Sequence, residues 1–322
     1  MLPSKDTLTI CFAHVAYQLQ ERFAARNTGI HSFAARSREE LDRRIGEADV
    51  LLVSGMWHND LVAHAPRLRF IQSISAGVDQ YGRDVLQAAG IRLASAQGVN
   101  ARAVSEHAIA LILALARKLP EARDNQAKHH WRGMIGDLAQ REDELGGKTL
   151  LVLGLGRIGG RLAQLAKAFD MRVIGIRRDP QAGANGADEV YGLDRLVSLL
   201  PEADYVALTC PLTPETRNVI NAEALAAMRP SSWLVNVARG GVVDEPALIA
   251  ALQERRIAGA ALDCTAAEPL ADSSPLWDMD NVLITPHTAG ETRKYEENVL
   301  DILENNLARL WRGETALYNQ VI

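Results

Sequence analysis

Apolar residues in this chain come in short unbroken runs, separated by stretches where they recur every three or four positions. Leu8–Ala13, Val50–Ser54, Arg69–Ile74 and Ile91–Ala94 read as strands, and 16–26 and 37–47 have helical spacing. This alternation predicts a small parallel α/β unit in the first third of the chain. The rhythm returns with an apolar run at Leu150–Leu153, then Arg172–Ile176, Tyr205–Cys210, Trp233–Val237, Ala260–Asp263 and Val282–Thr285. Helical spacing falls between them near 157–169, 193–201, 221–228 and 244–255. Six strands are therefore expected in one doubly wound sheet between 149 and 286.

Two helical patterns lie outside these sheets. One starts at Ala101 and runs through Leu111, Leu115 and Leu119, with a break or kink predicted at Pro120. Polar residues 121–144 follow it. The other spans roughly 291–312, with Val299, Leu303, Leu307 and Leu310 on one face. Because the second sheet is complete without it, this last helix is expected to return to the N-terminal unit. The expected division is 1–100 with 290–322 as a discontinuous first domain, and 101–289 as the second.

Composition narrows the class. Hydrophobic content of 48% and charged content of 23% are those of an ordinary globular protein. A net charge of -5 argues against nucleic acid or an anionic membrane as the main partner. Cys11, Cys210 and Cys264 are far apart and form no C-x-x-C, which fits a reducing compartment without structural metal. The N-terminus has no signal-peptide pattern. The apolar stretch Ala108–Ala116 is too short to span a bilayer and reads as a buried helix. The cytoplasm is the expected location.

Residues 149–166 combine a buried strand, a glycine turn and a helix start. Gly154, Gly156 and Gly159 spell G-x-G-x-x-G. The first glycine permits the tight turn, the second lets a pyrophosphate approach the backbone, and the third lets helix and strand pack closely. Free N–H groups at the helix start then face the phosphates. This predicts a dinucleotide site that includes Arg157 and Ile158. In the NAD version of such a site an acidic residue follows the second strand and binds the ribose. Here Arg177 and Arg178 follow Ile176, and two guanidinium groups suit a 2′-phosphate. NADP(H) is therefore expected as the preferred cofactor, with NAD(H) possible if Asp179 reaches the ribose.

Polar residues gather at the ends of three late strands: Arg239, then Asp263 and Glu268, then His287. Open α/β sheets bind ligands beyond the carboxyl ends of their strands. Reduction of a ketone needs a proton donor and a cation to polarise an acidic substrate. A histidine–carboxylate pair plus an arginine supplies that set. Each residue alone also has a plain structural role: a turn histidine, a surface ion pair, a cap.

With these segments the chain resembles the D-isomer-specific 2-hydroxyacid dehydrogenases. The matching words are Leu-Gly-Leu-Gly-Arg-Ile-Gly at 153–159, Pro-Leu-Thr-Pro-Glu-Thr-Arg at 211–217, Asn-Val-Ala-Arg-Gly-Gly-Val-Val-Asp at 236–244, Glu-Pro-Leu at 268–270 and Pro-His-Thr-Ala-Gly at 286–290. They continue upstream through Ser-Ala-Gly-Val-Asp at 75–79, Gly-Val-Asn at 98–100 and Glu106-His107. The resemblance implies two Rossmann-like doubly wound domains, a discontinuous flavodoxin-like substrate domain and a dinucleotide-binding domain. It also implies roles. Arg239 would bind the substrate carboxylate and keto oxygen. His287 would exchange a proton with that oxygen. Glu268 would hold the imidazole and favour its protonated form by charge pairing. Asp263 would meet the nicotinamide carboxamide. Val104, Pro211, Val237, Ala238 and Gly290 would line the cofactor, and the Ser75, Ala76 and Gly77 backbone would cradle the carboxylate.

Departures from the family pattern are the missing acidic residue after the second cofactor strand and Cys264–Ala267, where an aromatic is common. The stretch after Gly290 is taken up by the last helix, which disfavours a serine-regulated phosphoglycerate dehydrogenase. Met56 and Trp57, after a strand of the first domain, are candidates for the substrate side-chain pocket, with core packing as the equal alternative. The expected reaction is NAD(P)H-dependent reduction of a small 2-keto acid, of the glyoxylate/hydroxypyruvate reductase type. The alternatives are a dinucleotide-sensing corepressor-like binding protein and a phosphite-type dehydrogenase. The segment around His129, His130 and Trp131 resembles the family's dimer arm, so a homodimer is expected.

Overall fold

The computed structural model describes residues 2–322, in two compact units. One comprises the residues up to Asn100 together with Thr292–Ile322, and the other Ala101–Glu291.

The first unit carries five strands: β1 (Thr9–Ala13), β2 (His31–Ala35), β3 (Val50–Val53), β4 (Phe70–Ser73) and β5 (Arg92–Ala94). All pair in parallel, in the order β2-β1-β3-β4-β5, the flavodoxin-like winding. Helices α1 (Leu19–Ala25), α2 (Arg38–Arg44) and α3 (Arg83–Ala88) belong to this unit. The unbroken apolar runs arise because both faces of the sheet are covered. Along β1, Ile10 and Phe12 enter one core while Cys11 and Ala13 enter the other.

In the second unit, α4 (Ala101–Ala116) and α5 (Leu119–Ala127) precede β6 (Thr149–Leu153), α6 (Arg157–Lys167), β7 (Arg172–Ile176), β8 (Glu189–Tyr191), α7 (Leu196–Leu199) and β9 (Tyr205–Leu208). Then come α8 (Ala222–Ala227), β10 (Trp233–Asn236), α9 (Glu245–Gln253), β11 (Gly259–Leu262) and β12 (Val282–Ile284). Its sheet is wholly parallel, in the order β12-β11-β10-β9-β6-β7-β8. On β6, Leu150 and Val152 face one core, and Leu151 and Leu153 the other.

The last helix, α10 (Tyr295–Trp311), buries Val299, Leu300, Leu303 and Leu307 against Leu8, Ile10, Phe12 and Phe70 of the first unit. Asn306 sits fully buried on the same face. It donates to Gln72 Oε1 at 3.0 Å and to Tyr318 O at 3.1 Å, and accepts Tyr318 N–H at 2.8 Å.

Three element expectations are corrected. The second sheet has seven strands rather than six, because β8 pairs with β7 at its edge. The first sheet gains β2, also an edge strand. Both are only partly buried, unlike the interior strands, since an edge strand is partnered on one side alone. The helical pattern from Ala101 breaks at Lys118 (φ 49°), before Pro120, which sits in the first turn of α5 where its missing N–H is harmless. Leu119 is consequently exposed rather than part of the α4 face. Among the described residues no helix is long and apolar enough to cross a membrane.

Candidate active site

Three loops leave the carboxyl ends of β10, β11 and β12, and their backbones lock together before any ligand is considered. After β10, the Asn236 side chain accepts Ala238 N–H at 3.0 Å and donates to Arg239 O at 3.1 Å. Arg239 stands exposed beyond this turn, with Nη1 donating to Ala238 O at 2.7 Å. A β-carbon on Gly240 would collide with the backbone of Thr265, so only glycine lets the β10 loop lie against the β11 loop. Thr265 N–H in turn donates to Glu268 Oε1 at 3.1 Å. The other Glu268 oxygen lies 2.7 Å from His287 Nδ1. Both partners are about two-fifths exposed, 39% for Glu268 and 43% for His287.

The arrangement therefore joins Arg239, Glu268 and His287 through contacting loops of one unit. With Nδ1 held by a carboxylate, the imidazole keeps Nε2 for proton exchange. Between these charges lies Cys264. Burial, with the nearby carboxylates of Glu268 and Asp263, pushes its thiol up to about 12, so it is not a nucleophile at neutral pH.

Asp263 is 2% exposed. Its Oδ1 accepts Thr285 Oγ1–H at 2.6 Å, Thr288 N–H at 3.0 Å and Ala289 N–H at 3.2 Å; Oδ2 accepts Ala289 N–H at 3.1 Å. His107 of α4 approaches the same group, with Nε2 3.0 Å from Thr285 Oγ1 and 3.6 Å from Asp263 Oδ1. The sequence words had included His107 without a role, and Thr285 had entered only as the end of an expected strand. As they lie 178 positions apart, no local pattern could have paired them.

The glycine loop matches its expected division of labour. Gly154 has φ 105°, and a β-carbon there would lie 2.5 Å from Cys210 N. One on Gly159 would lie 2.7 Å from Thr209 Oγ1 and 2.9 Å from Val152 Cγ1, so α6 rests directly on the sheet. One on Gly156 would meet nothing within 4 Å. Gly156 is the N-cap of α6 and no side chain caps the helix. An uncapped helix start beside open backbone fits a dinucleotide pyrophosphate. Thr209, which donates to Gly154 O at 2.8 Å, braces this loop and was missed by the sequence reasoning. Arg157 is exposed and Ile158 half-buried at the start of α6. Val104, Val237 and Ala238 are buried, Pro211 is exposed after β9, and Gly290 is half-buried after β12.

At the end of β7, Arg177 N–H donates to Tyr191 O, and its guanidinium donates to Ala182 O at 3.2 Å and Gly183 O at 2.7 Å. Arg178 is exposed. Asp179 spends a carboxylate oxygen on Gln181 N–H at 3.0 Å.

The remaining candidates lie in the first unit. Ser75 Oγ contacts Ser54 Oγ at 2.9 Å and donates to Gly77 O at 2.8 Å, tightening the loop after β4. Ala76 is exposed and Gly77 half-buried on that loop. Met56 and Trp57 are buried in the core. Trp57 stacks at a tilt on Tyr81 with ring centroids 5.5 Å apart and donates from Nε1 to Asn59 Oδ1 at 3.1 Å. Packing, the alternative role weighed for this pair, is what these contacts display. No cluster of metal-ligating side chains occurs among the described residues.

Residues 109–289 match the family model of the D-isomer specific 2-hydroxyacid dehydrogenase NAD binding domain. D-3-phosphoglycerate dehydrogenase of Methanocaldococcus jannaschii is 36% identical over 285 residues, covering 87% of this chain and 53% of that protein. The chain thus spans about half the length of the phosphoglycerate dehydrogenases it matches. Glyoxylate/hydroxypyruvate reductase B of Pectobacterium carotovorum is 37% identical, over 81% of each chain. The crystal structure of a D-isomer specific 2-hydroxyacid dehydrogenase family protein from Aeromonas salmonicida is similar with a TM-score of 0.85 and 30% identity, covering 98% of this chain and 99% of the other.

Proposed function

Given that the chain belongs to the D-isomer-specific 2-hydroxyacid dehydrogenase family, we propose that it reduces a small 2-keto acid to the D-2-hydroxy acid with NAD(P)H, as a glyoxylate/hydroxypyruvate reductase does. The observation that carries this reading is the His287–Glu268 pair at 2.7 Å, in loops locked to the one that bears Arg239.

When bound, a nicotinamide supplies the hydride that adds to the keto carbon. The chain's residues handle the rest. The Arg239 guanidinium binds the substrate's carboxylate and keto oxygen and polarises the carbonyl. His287 gives the oxygen its proton from Nε2 while Nδ1–H stays on Glu268, so the imidazole turns neutral as the alkoxide is quenched. In the oxidative direction the same nitrogen takes the proton back. The backbone of Ser75, Ala76 and Gly77 serves as a carboxylate cradle, and the glycine loop with Asp263 holds the dinucleotide.

NADP(H) is the preferred cofactor on this reading. No carboxylate stands at the first position after β7, and the Asp179 carboxylate already caps the following turn. Arg177 and Arg178 occupy the corner instead. A second copy of the chain is the proposed protein partner, because Trp131 and Met134 stand almost fully exposed and Leu138 largely so on one segment, with Trp131 at 97%. The proposed setting is the cytoplasm.

The deciding experiment is the initial rate of NADPH and NADH oxidation with glyoxylate, hydroxypyruvate, pyruvate, 2-ketoisocaproate and phenylpyruvate. Turnover is expected with NADPH and a small keto acid, and His287→Ala should lower it by roughly 10²–10⁴-fold. Tight dinucleotide binding without turnover on any acid would favour a binding protein, and phosphite-dependent reduction of NAD(P) would favour phosphite chemistry.

A further inference from the structure

The contact of His107 and Thr285 with the buried Asp263 lies outside the proton-transfer pair, yet it is built around the carboxylate assigned to the nicotinamide. Three elements supply it: α4 brings His107, the end of β11 brings Asp263, and the end of β12 brings Thr285. The hydrogens can be assigned by elimination. A carboxylate only accepts, so the 2.6 Å contact is Thr285 Oγ1–H donating to Asp263 Oδ1. That uses the hydroxyl's single proton. At 3.0 Å, His107 Nε2 must then be the donor and Thr285 Oγ1 the acceptor. The chain of donation therefore runs from His107 to Thr285 to Asp263.

Its effect on the carboxylate is asymmetric. Oδ1 receives Thr285, Thr288 and the 3.2 Å arm of the Ala289 N–H, whereas Oδ2 receives only the other arm of that same N–H, at 3.1 Å. The donors thus pin one oxygen and leave the other with acceptor capacity. Thr288 and Ala289 directly follow His287, whose backbone is held in the left-handed region at φ 55°. One buried carboxylate therefore ties down both its own orientation and the loop that presents the imidazole.

We propose that His107 and Thr285 are positioning residues that orient Asp263 so that Oδ2 receives the carboxamide of the nicotinamide. This rests on the dehydrogenase reading above, and it extends that reading to two residues that touch neither substrate nor cofactor. Without the relay the carboxylate could turn about its last torsion and offer the pinned oxygen's lone pairs elsewhere. Recognition of the nicotinamide end would weaken, while recognition of the adenosine and pyrophosphate end would not.

The test is equilibrium binding of NADPH and NADH, and of ADP-ribose with its 2′-phosphorylated form, to the purified full chain by calorimetry. The latter pair lack nicotinamide. Thr285→Val and His107→Leu should each weaken the intact dinucleotide by about tenfold, the size of one hydrogen bond to a charged group. Both should leave the ADP-ribose ligands within about twofold, and Thr285→Ser should restore binding. Equal weakening of both ligand classes, or of neither, would overturn the relay, as would a Thr285→Ser variant no better than Thr285→Val. Should Thr285→Val fold poorly, His107→Leu alone decides, since its ring is partly exposed. A wild-type chain that binds no dinucleotide refutes the dehydrogenase reading, a result distinct from every outcome that concerns the relay.

Discussion

His287 holds a backbone conformation that a β-carbon makes unfavourable by about 1–2 kcal/mol. What compensates is local: its N–H donates to Thr285 O, and the next two N–H groups donate to Asp263. The strain thus sits where the ring must be aimed. At the β7 corner the single-residue prediction concerns charge. Arg177→Asp should lower kcat/KM with NADPH by about tenfold or more relative to NADH, the loss of a charge-assisted contact. Equal losses with the two cofactors would place the 2′-phosphate contact elsewhere. The thiols make a second prediction. Burial pushes Cys11 and Cys264 up to about 12 and Cys210 to about 11, from an ordinary 9.0. At neutral pH none should react with iodoacetamide until the chain is unfolded in urea. Each thiol ionises more readily in the unfolded chain. Their stabilising contribution is therefore complete below about pH 9 and is lost as pH rises toward 12.

Elements bring their own constraints, because each loop of the candidate site begins where a strand stops. The β10 and β11 loops touch at Gly240, so Gly240→Ala must separate them. Steady-state kinetics should show kcat lowered by at least roughly tenfold while the far-ultraviolet circular dichroism is unchanged, because misplacement by about an ångström far outweighs the lost space. Unchanged kcat would mean that the two loops move independently. On α10 the buried Asn306 joins the helix to β4 and to the C-terminal segment. Asn306→Leu removes the contacts to Gln72 Oε1, Tyr318 O and Tyr318 N–H and should cost about 1–3 kcal/mol in urea denaturation. A loss below about half a kilocalorie would mean that water replaces those contacts. The elements that sequence periodicity missed, β2 and β8, share one cause. Each is an edge strand with few fully buried positions, and β8 adds a polar contact, Arg172 with Glu189 at 2.6 Å. Hydrophobic periodicity has no purchase on such a strand.

For the whole molecule, the exposed apolar side chains of Trp131, Met134 and Leu138 should be covered in solution. Light scattering behind size exclusion is expected to return twice the 35.1 kDa chain mass at micromolar concentration. A monomer mass would leave that segment without its proposed partner. The two units share a chemical logic. In each, an all-parallel sheet covered on both faces forces polar chemistry to the strand ends.

The chain's pattern alone determined the strands of both sheet interiors, the edge strands β5 and β12 and the glycine turn, and it nominated Arg239, Glu268 and His287 as a set. Buried parallel strands must be apolar throughout, and phosphate recognition requires glycine at fixed spacing, so both leave marks within a few residues. Tertiary structure alone decided the edge strands β2 and β8, the Lys118 break, the burial of Met56 and Trp57, and the bracing of the glycine loop by Thr209. It alone brought His107 against Thr285 and Asp263, from helix and strand ends far apart in the chain. A hydrogen bond across such a distance has no periodicity. It exists because packing α4 onto the sheet carries one side chain to within 3.0 Å of another.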